Sequence, residues 1–192
     1  MVDLGHVLRR LVHMCTPLFL VYYWLPEPLW DGGLTREQGL VVFLIIVLAL
    51  EFLRLRAKWR IIGIRDYEYR RVSAAAWAAV AMVIAFLFFP FQLAAPALIG
   101  MGLVDPLIGE LRHHKSNLYP VLPIVVYFGL VLTTLSLAVA VDARAIVAAV
   151  LATAVAIYLE KVRIPYLDDD FLMIVPPLLV MAAVYWLTSW PF

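Results

Sequence analysis

Long apolar stretches broken by short polar clusters set the pattern of this chain. A helix needs about 20 mainly apolar residues to cross a membrane. Stretches of about that length fall at about 8–25, 36–55, 73–89, 92–112, 119–141, 143–160 and 171–190. Turn chemistry separates several of them: Pro26 and Pro28 follow the first, Asp31-Gly32-Gly33 precedes the second, and Phe89-Pro90-Phe91 parts the third from the fourth. Pro106 interrupts the fourth. The pattern predicts an all-α fold, a polytopic transmembrane helical bundle of about seven spans, with six or eight left open by the short sixth and irregular fourth stretches. With no long linker, it forms a single integral-membrane domain over residues 1–192.

Composition agrees with that reading. Hydrophobic residues make up 65% and charged residues 15%, against roughly 45–50% and about 25% in soluble domains. Mean hydropathy is +0.95. A net charge of +1 supplies no bulk field for nucleic acid. The lone Cys15 excludes an internal disulfide and a cysteine-based metal site. The first apolar run ends without a small-residue cleavage site, so no cleavable signal is expected.

Charge placement gives orientation. With a cytoplasmic N-terminus, only Arg36 and Arg144 of the 15 lysines and arginines fall outside, as the positive-inside rule expects. The acids Glu51, Asp66, Glu68, Asp105, Glu110, Glu160, Asp168, Asp169 and Asp170 collect on the same side, although acids contribute little to that rule. Both signs on one face point to a cytoplasmic site for a polyanion and its metal.

Four groups of residues carry candidate chemistry. A residue before proline avoids helical geometry and proline favours a helix start. Asp105 therefore either caps a half-helix beginning at Pro106, as part of a magnesium and phosphate site, or caps a simple kink. Gly109, one turn on, would let a ligand approach the backbone. Asp168, Asp169 and Asp170 precede the last apolar run; they suit Mg²⁺ or the dipole of a helix start. His13 shares a helix face with Arg9 and Arg10, which can clamp phosphate or anchor the interface. Glu51 and Arg54, one turn apart, read as a salt bridge. The loop from Arg56 to Arg71 is basic, with Trp59, Tyr67 and Tyr69 among its charges, and suits the anionic membrane surface or a nucleotide base. Arg112, His113, His114 and Lys115 could hold phosphate or simply be solvated. There is no P-loop and no protein-kinase catalytic loop.

In order, Arg-Arg-Leu-Val-His-Met (9–14), Glu-Phe-Leu-Arg (51–54), Val-Asp-Pro-Leu-Ile-Gly (104–109) and Glu160 followed by Leu-Asp-Asp-Asp (167–170) resemble the CTP-dependent polyprenol kinase group. That group includes dolichol kinase, phytol kinase and CTP-dependent diacylglycerol kinase. Val104, Arg112 and Asp170 stand where the group carries glycine, glycine and asparagine. The resemblance implies a membrane lipid kinase that moves the γ-phosphate of CTP, or of another nucleoside triphosphate, to an isoprenoid or other lipid alcohol. It implies Asp105 as the essential acid, Asp105, Asp168 and Asp169 as Mg²⁺ ligands, and Arg9, Arg10 and Arg54 as phosphate neutralisers. Arg112, Lys115 and Gly109 are further phosphate-side candidates, and Glu51, Glu160 and Asp170 are supporting residues. His13 or an aspartate would take the hydroxyl proton. Two other readings stay open: a cytidylyltransferase that makes a CDP-lipid, and a non-catalytic lipid-phosphate transporter.

Overall fold

The computed structural model describes residues 4–138, 142–162 and 164–188. Among these it holds seven α-helices and no strand. They are α1 (Leu4–Cys15), α2 (Arg36–Ala57), α3 (Ala74–Phe88), α4 (Phe91–His113), α5 (Val121–Ala138), α6 (Ala143–Leu159) and α7 (Asp169–Leu187). A 3-10 run, Thr16–Trp24, continues from α1, and a shorter one, Asp66–Arg70, lies between α2 and α3. Two helices, α4 and α7, are long and apolar enough to cross a membrane.

Local chemistry sets the helix starts. Thr35 and Gln38 form a reciprocal capping box before α2. Ser73 caps α3, Asp142 caps α6 and Asp168 caps α7 through side-chain oxygens that accept backbone N–H groups. Prolines account for one irregularity. The apolar run expected at about 8–25 is not one α-helix. Pro17 has no N–H to give the His13 carbonyl, and the chain tightens into the 3-10 run from Thr16.

The expected break at Pro106 does not occur: α4 runs unbroken through Pro96 and Pro106. An interior proline costs a helix about 3 kcal/mol. Val104 and Ile108, on either side of Pro106, are fully buried, and their packing offsets that cost. The last helix also begins two residues earlier than about 171 and carries Pro176 and Pro177 inside it. Residues 139–141 and 189–190, the ends of the fifth and seventh apolar runs, lie outside the described residues.

The core lies around α4 and α7. α7 packs on α3, α4 and α6, and α4 also packs on α1, α5 and the 3-10 run Thr16–Trp24. Their buried positions, Ala94, Leu98, Met101, Val104 and Ile108 on α4 and Ile174, Leu178, Met181 and Tyr185 on α7, recur every three or four residues. Alanines 145, 148, 149, 152 and 156 give α6 a buried small-residue stripe that allows close approach. α2 is inverted. Its buried residues are Glu51 and Arg54, while Ile45, Ile46, Leu50 and Phe52 are each more than half exposed.

The two ends of the bundle differ in chemistry. At one, Tyr22 and Tyr23 pack with Phe86, and Tyr23 and Trp24 with Phe91. The Tyr23 hydroxyl donates to the Phe89 carbonyl at 2.8 Å, and Arg36 pairs with Glu27. The other end gathers the later turns of α1, the C-terminal turns of α2, α4 and α6, and the start of α7. Among the described residues it holds most of the ion pairs.

Candidate functional site

The site begins with His13 on the last turn of α1. Its Nδ1 lies 2.8 Å from the Arg9 carbonyl, which can only accept, so Nδ1 carries a hydrogen. Its Nε2 lies 2.9 Å from Asp170 Oδ1 and 3.4 Å from Asp105 Oδ2. One imidazole thus joins α1, α4 and α7. A proton must lie between Nε2 and Asp170, either on an imidazolium or on the carboxyl. His13 and Asp170 are buried, and Asp105 is largely so.

Asp170 belongs to a second group. Ligand atoms of Asp168, Asp169 and Asp170 lie within 4.8 Å of one another, as do those of His13, Asp105 and Asp170. The Asp168 carboxylate accepts the Asp170 N–H at 3.3 Å and so fixes the first turn of α7. Burial, a hydrogen bond shared with the Asp169 carboxyl, and the charges of Asp169 and Asp170 push Asp168 up to about 9. Arg65 approaches Asp169 at 3.8 Å. Just before this turn Tyr166 adopts φ 75°, a region that bulky residues rarely occupy and that often marks functional turns.

Four carboxylates around one helix start supply the hard oxygen donors that a divalent cation such as Mg²⁺ takes. The expected trio of Asp105, Asp168 and Asp169 does not form one group. Asp170, expected in support, is the member common to both.

Arg9 lies beside the carboxylates. Its Nη1 donates to Glu68 Oε1 at 3.1 Å, and its carbonyl meets His13 Nδ1. Arg10 pairs with Glu110. Glu68 was visible in the sequence only as one of many acids. It is 2% exposed, and no local motif announces its pairing with a residue 59 positions away.

The remaining candidates fall elsewhere. Arg54 is 3% exposed. Its Nε and Nη2 donate to Glu51 at 2.9 and 2.7 Å, and Nη2 also to the carbonyls of Arg71 at 2.7 Å and Glu68 at 3.2 Å. Glu51 in turn accepts the Ser73 N–H at 2.6 Å. These contacts give Arg54 a structural role: it fastens the 3-10 segment to α2. Arg112 grips Glu160 with both arms at 2.7 and 2.6 Å and donates to the Tyr119 hydroxyl at 2.8 Å. Burial raises the Glu160 carboxyl above its usual range, and Arg112 only partly offsets this. Gly109 faces open space, and Lys115 is exposed with φ 48°.

No family model, no characterised protein and no solved structure matches this chain.

Proposed function

We propose that this protein is a membrane-embedded, Mg²⁺-dependent phosphotransferase. It moves the terminal phosphate of a nucleoside triphosphate, CTP by resemblance, to the hydroxyl of an isoprenoid or similar lipid alcohol. One observation carries the reading: His13, Asp105 and three consecutive aspartates converge beside Arg9 at one end of an apolar bundle. Ionisable residues within apolar helices are costly and are functional by default.

Phosphoryl transfer is mostly positioning and charge neutralisation. Asp168, Asp169 and Asp170 would hold Mg²⁺, which when bound neutralises and orients the phosphates. Arg9 adds positive charge on the protein side. The lipid oxygen forms a bond to the γ-phosphorus, the bond between that phosphorus and the β–γ bridging oxygen breaks, and the nucleoside diphosphate leaves. The hydroxyl proton passes to a carboxylate. His13 is poorly placed to take it, because both ring nitrogens already face protein oxygens. Asp105, more exposed than Asp170, is the better acceptor, and His13 holds it in place.

The membrane arrangement is part of the same reading. The inverted face of α2 suits lipid. Counting α1 with its 3-10 continuation as one crossing gives seven, with the N-terminus and the acidic site cytoplasmic by the distribution of arginine and lysine. The lipid chain would lie between helices with its hydroxyl at that interface.

The test is transfer of label from γ-labelled CTP to prenyl alcohols by the purified protein with Mg²⁺. Labelled lipid is expected, and its absence from Asp105→Asn at equal expression. Full activity in Asp105→Asn would overturn the assignment. Pyrophosphate release would favour CDP-lipid synthesis instead, and lipid-phosphate binding without nucleotide use would favour a transporter.

A further inference from the structure

Arg9 has one engaged arm and one idle arm. Nη1 donates to Glu68, while Nη2 is buried and has no hydrogen-bond partner among the described residues. An unmade hydrogen bond on a buried cation is expensive, and native structures rarely leave one without a reason. The carbonyl of the same residue meets His13 Nδ1 at 2.8 Å, and His13 Nε2 meets Asp170 and Asp105, so Arg9 stands beside the acidic cluster.

Glu68 does not sit there by chance. It lies in the 3-10 segment Asp66–Arg70. Arg54 fastens that segment to α2 by donating to the Glu68 and Arg71 carbonyls, and Glu51 holds Arg54 through two hydrogen bonds. A buried chain of contacts therefore runs from Glu51 through Arg54 and Glu68 to Arg9. At its end, Arg9 Nη2 is the buried donor without a partner among the described residues.

We infer that Glu68 is a positioning residue that aims Arg9, and that Arg9 Nη2 binds an oxygen of a polyphosphate. The planar guanidinium serves both partners at once, one edge on the carboxylate and the other on the anion. A lysine, with a single ammonium, cannot reproduce that geometry. This subsite rests on the nucleotide-dependent reading above and supplies its anion contact.

The test is titration of the full-length protein in detergent with inorganic triphosphate in the presence of Mg²⁺, followed by calorimetry. The wild type is expected to bind. Arg9→Gln is expected to weaken binding by about ten- to a hundredfold, the worth of a hydrogen bond to a charged group. Arg9→Lys is expected to weaken it comparably. Glu68→Gln, which keeps an acceptor but loses the charge, is expected to weaken it by a smaller factor with little change in thermal unfolding. If Arg9→Gln does not fold, the Arg9→Lys and Glu68→Gln titrations decide. Binding by these variants equal to wild type, or no binding by wild type, overturns the subsite. A separate assay of lipid phosphorylation separates the two ideas. Triphosphate binding that depends on Arg9, without phosphorylated lipid, keeps the subsite and removes the kinase reading. Phosphorylated lipid with Arg9-independent triphosphate binding removes the subsite alone.

Discussion

The imidazole of His13 and the carboxylate of Asp170, 157 positions apart in the chain, meet at 2.9 Å and close α1 onto the start of α7. Both are buried. Removing one partner leaves the other facing a low-dielectric interior without compensation. His13→Ala is therefore expected to cost about 3–5 kcal/mol, the usual result of breaking a buried pair. Loss of α1 docking should accompany it. Unfolding followed by intrinsic fluorescence in detergent would measure the cost; a change below about 1 kcal/mol would show that the contact is not formed.

Two glycines on α4 should behave in opposite ways. A Cβ on Gly102 would come within 2.8 Å of the His13 carbonyl oxygen and 2.9 Å of Pro17 Cδ. Backbone and a proline ring cannot yield easily, so Gly102→Ala should push α1 away from α4. A cost of about 1–3 kcal/mol is expected from overpacking, together with a weakened His13–Asp105 contact. A Cβ on Gly109 meets nothing within 4 Å. Gly109→Ala should stabilise the helix by up to about 1 kcal/mol. Paired melting curves of the two variants test this, and equal shifts would contradict it.

Much of this arrangement is legible in the sequence. Apolar runs separated by Pro-Gly punctuation locate most of the helices, because burial and capping are local signals. The gathering of acids and bases at one end follows from the same pattern. Other features were not legible. The unbroken α4 depends on packing around Pro106, which no local propensity records. Arg54 looks like a phosphate ligand in a motif and becomes structural because the 3-10 segment brings carbonyls to it. Glu68 matters through a contact 59 positions away, and Asp170 matters because His13 reaches it rather than Asp168 or Asp169.

Arg54 should be a stability residue. Arg54→Leu leaves Glu51 buried without its cation and frees the segment that carries Glu68. A loss of about 3–5 kcal/mol is expected. Arg54→Lys should recover only part of it, because one ammonium cannot make the paired contact to Glu51. Denaturant unfolding of both variants tests the order. Arg54→Leu as stable as wild type would contradict it.

Arg112 and Glu160 give a dependence on pH. Burial raises the Glu160 carboxyl in the folded protein above its value of 4.5 in the unfolded chain, and the Arg112 charge opposes that rise. A raised folded value means that the folded state holds the proton more tightly. Stability is then lost as pH climbs from about 4.5 through the folded value. Arg112→Ala lifts the folded value further. The deficit relative to wild type should be small near pH 4.5 and grow to about 1–3 kcal/mol at pH 8, the cost of an unpaired buried acceptor. Melting temperatures of both proteins at the two pH values test this; a gap that does not change with pH would contradict it.

The most direct test of the acidic site as a centre of phosphoryl transfer is a two-label experiment. The purified protein is incubated with Mg²⁺, a panel of prenyl alcohols and CTP labelled at either the α- or the γ-phosphate. Transfer of the γ-label to lipid, abolished by chelation of Mg²⁺ and by Asp105→Asn, is the predicted result. Transfer of the α-label, or no labelled lipid with any alcohol, would contradict it.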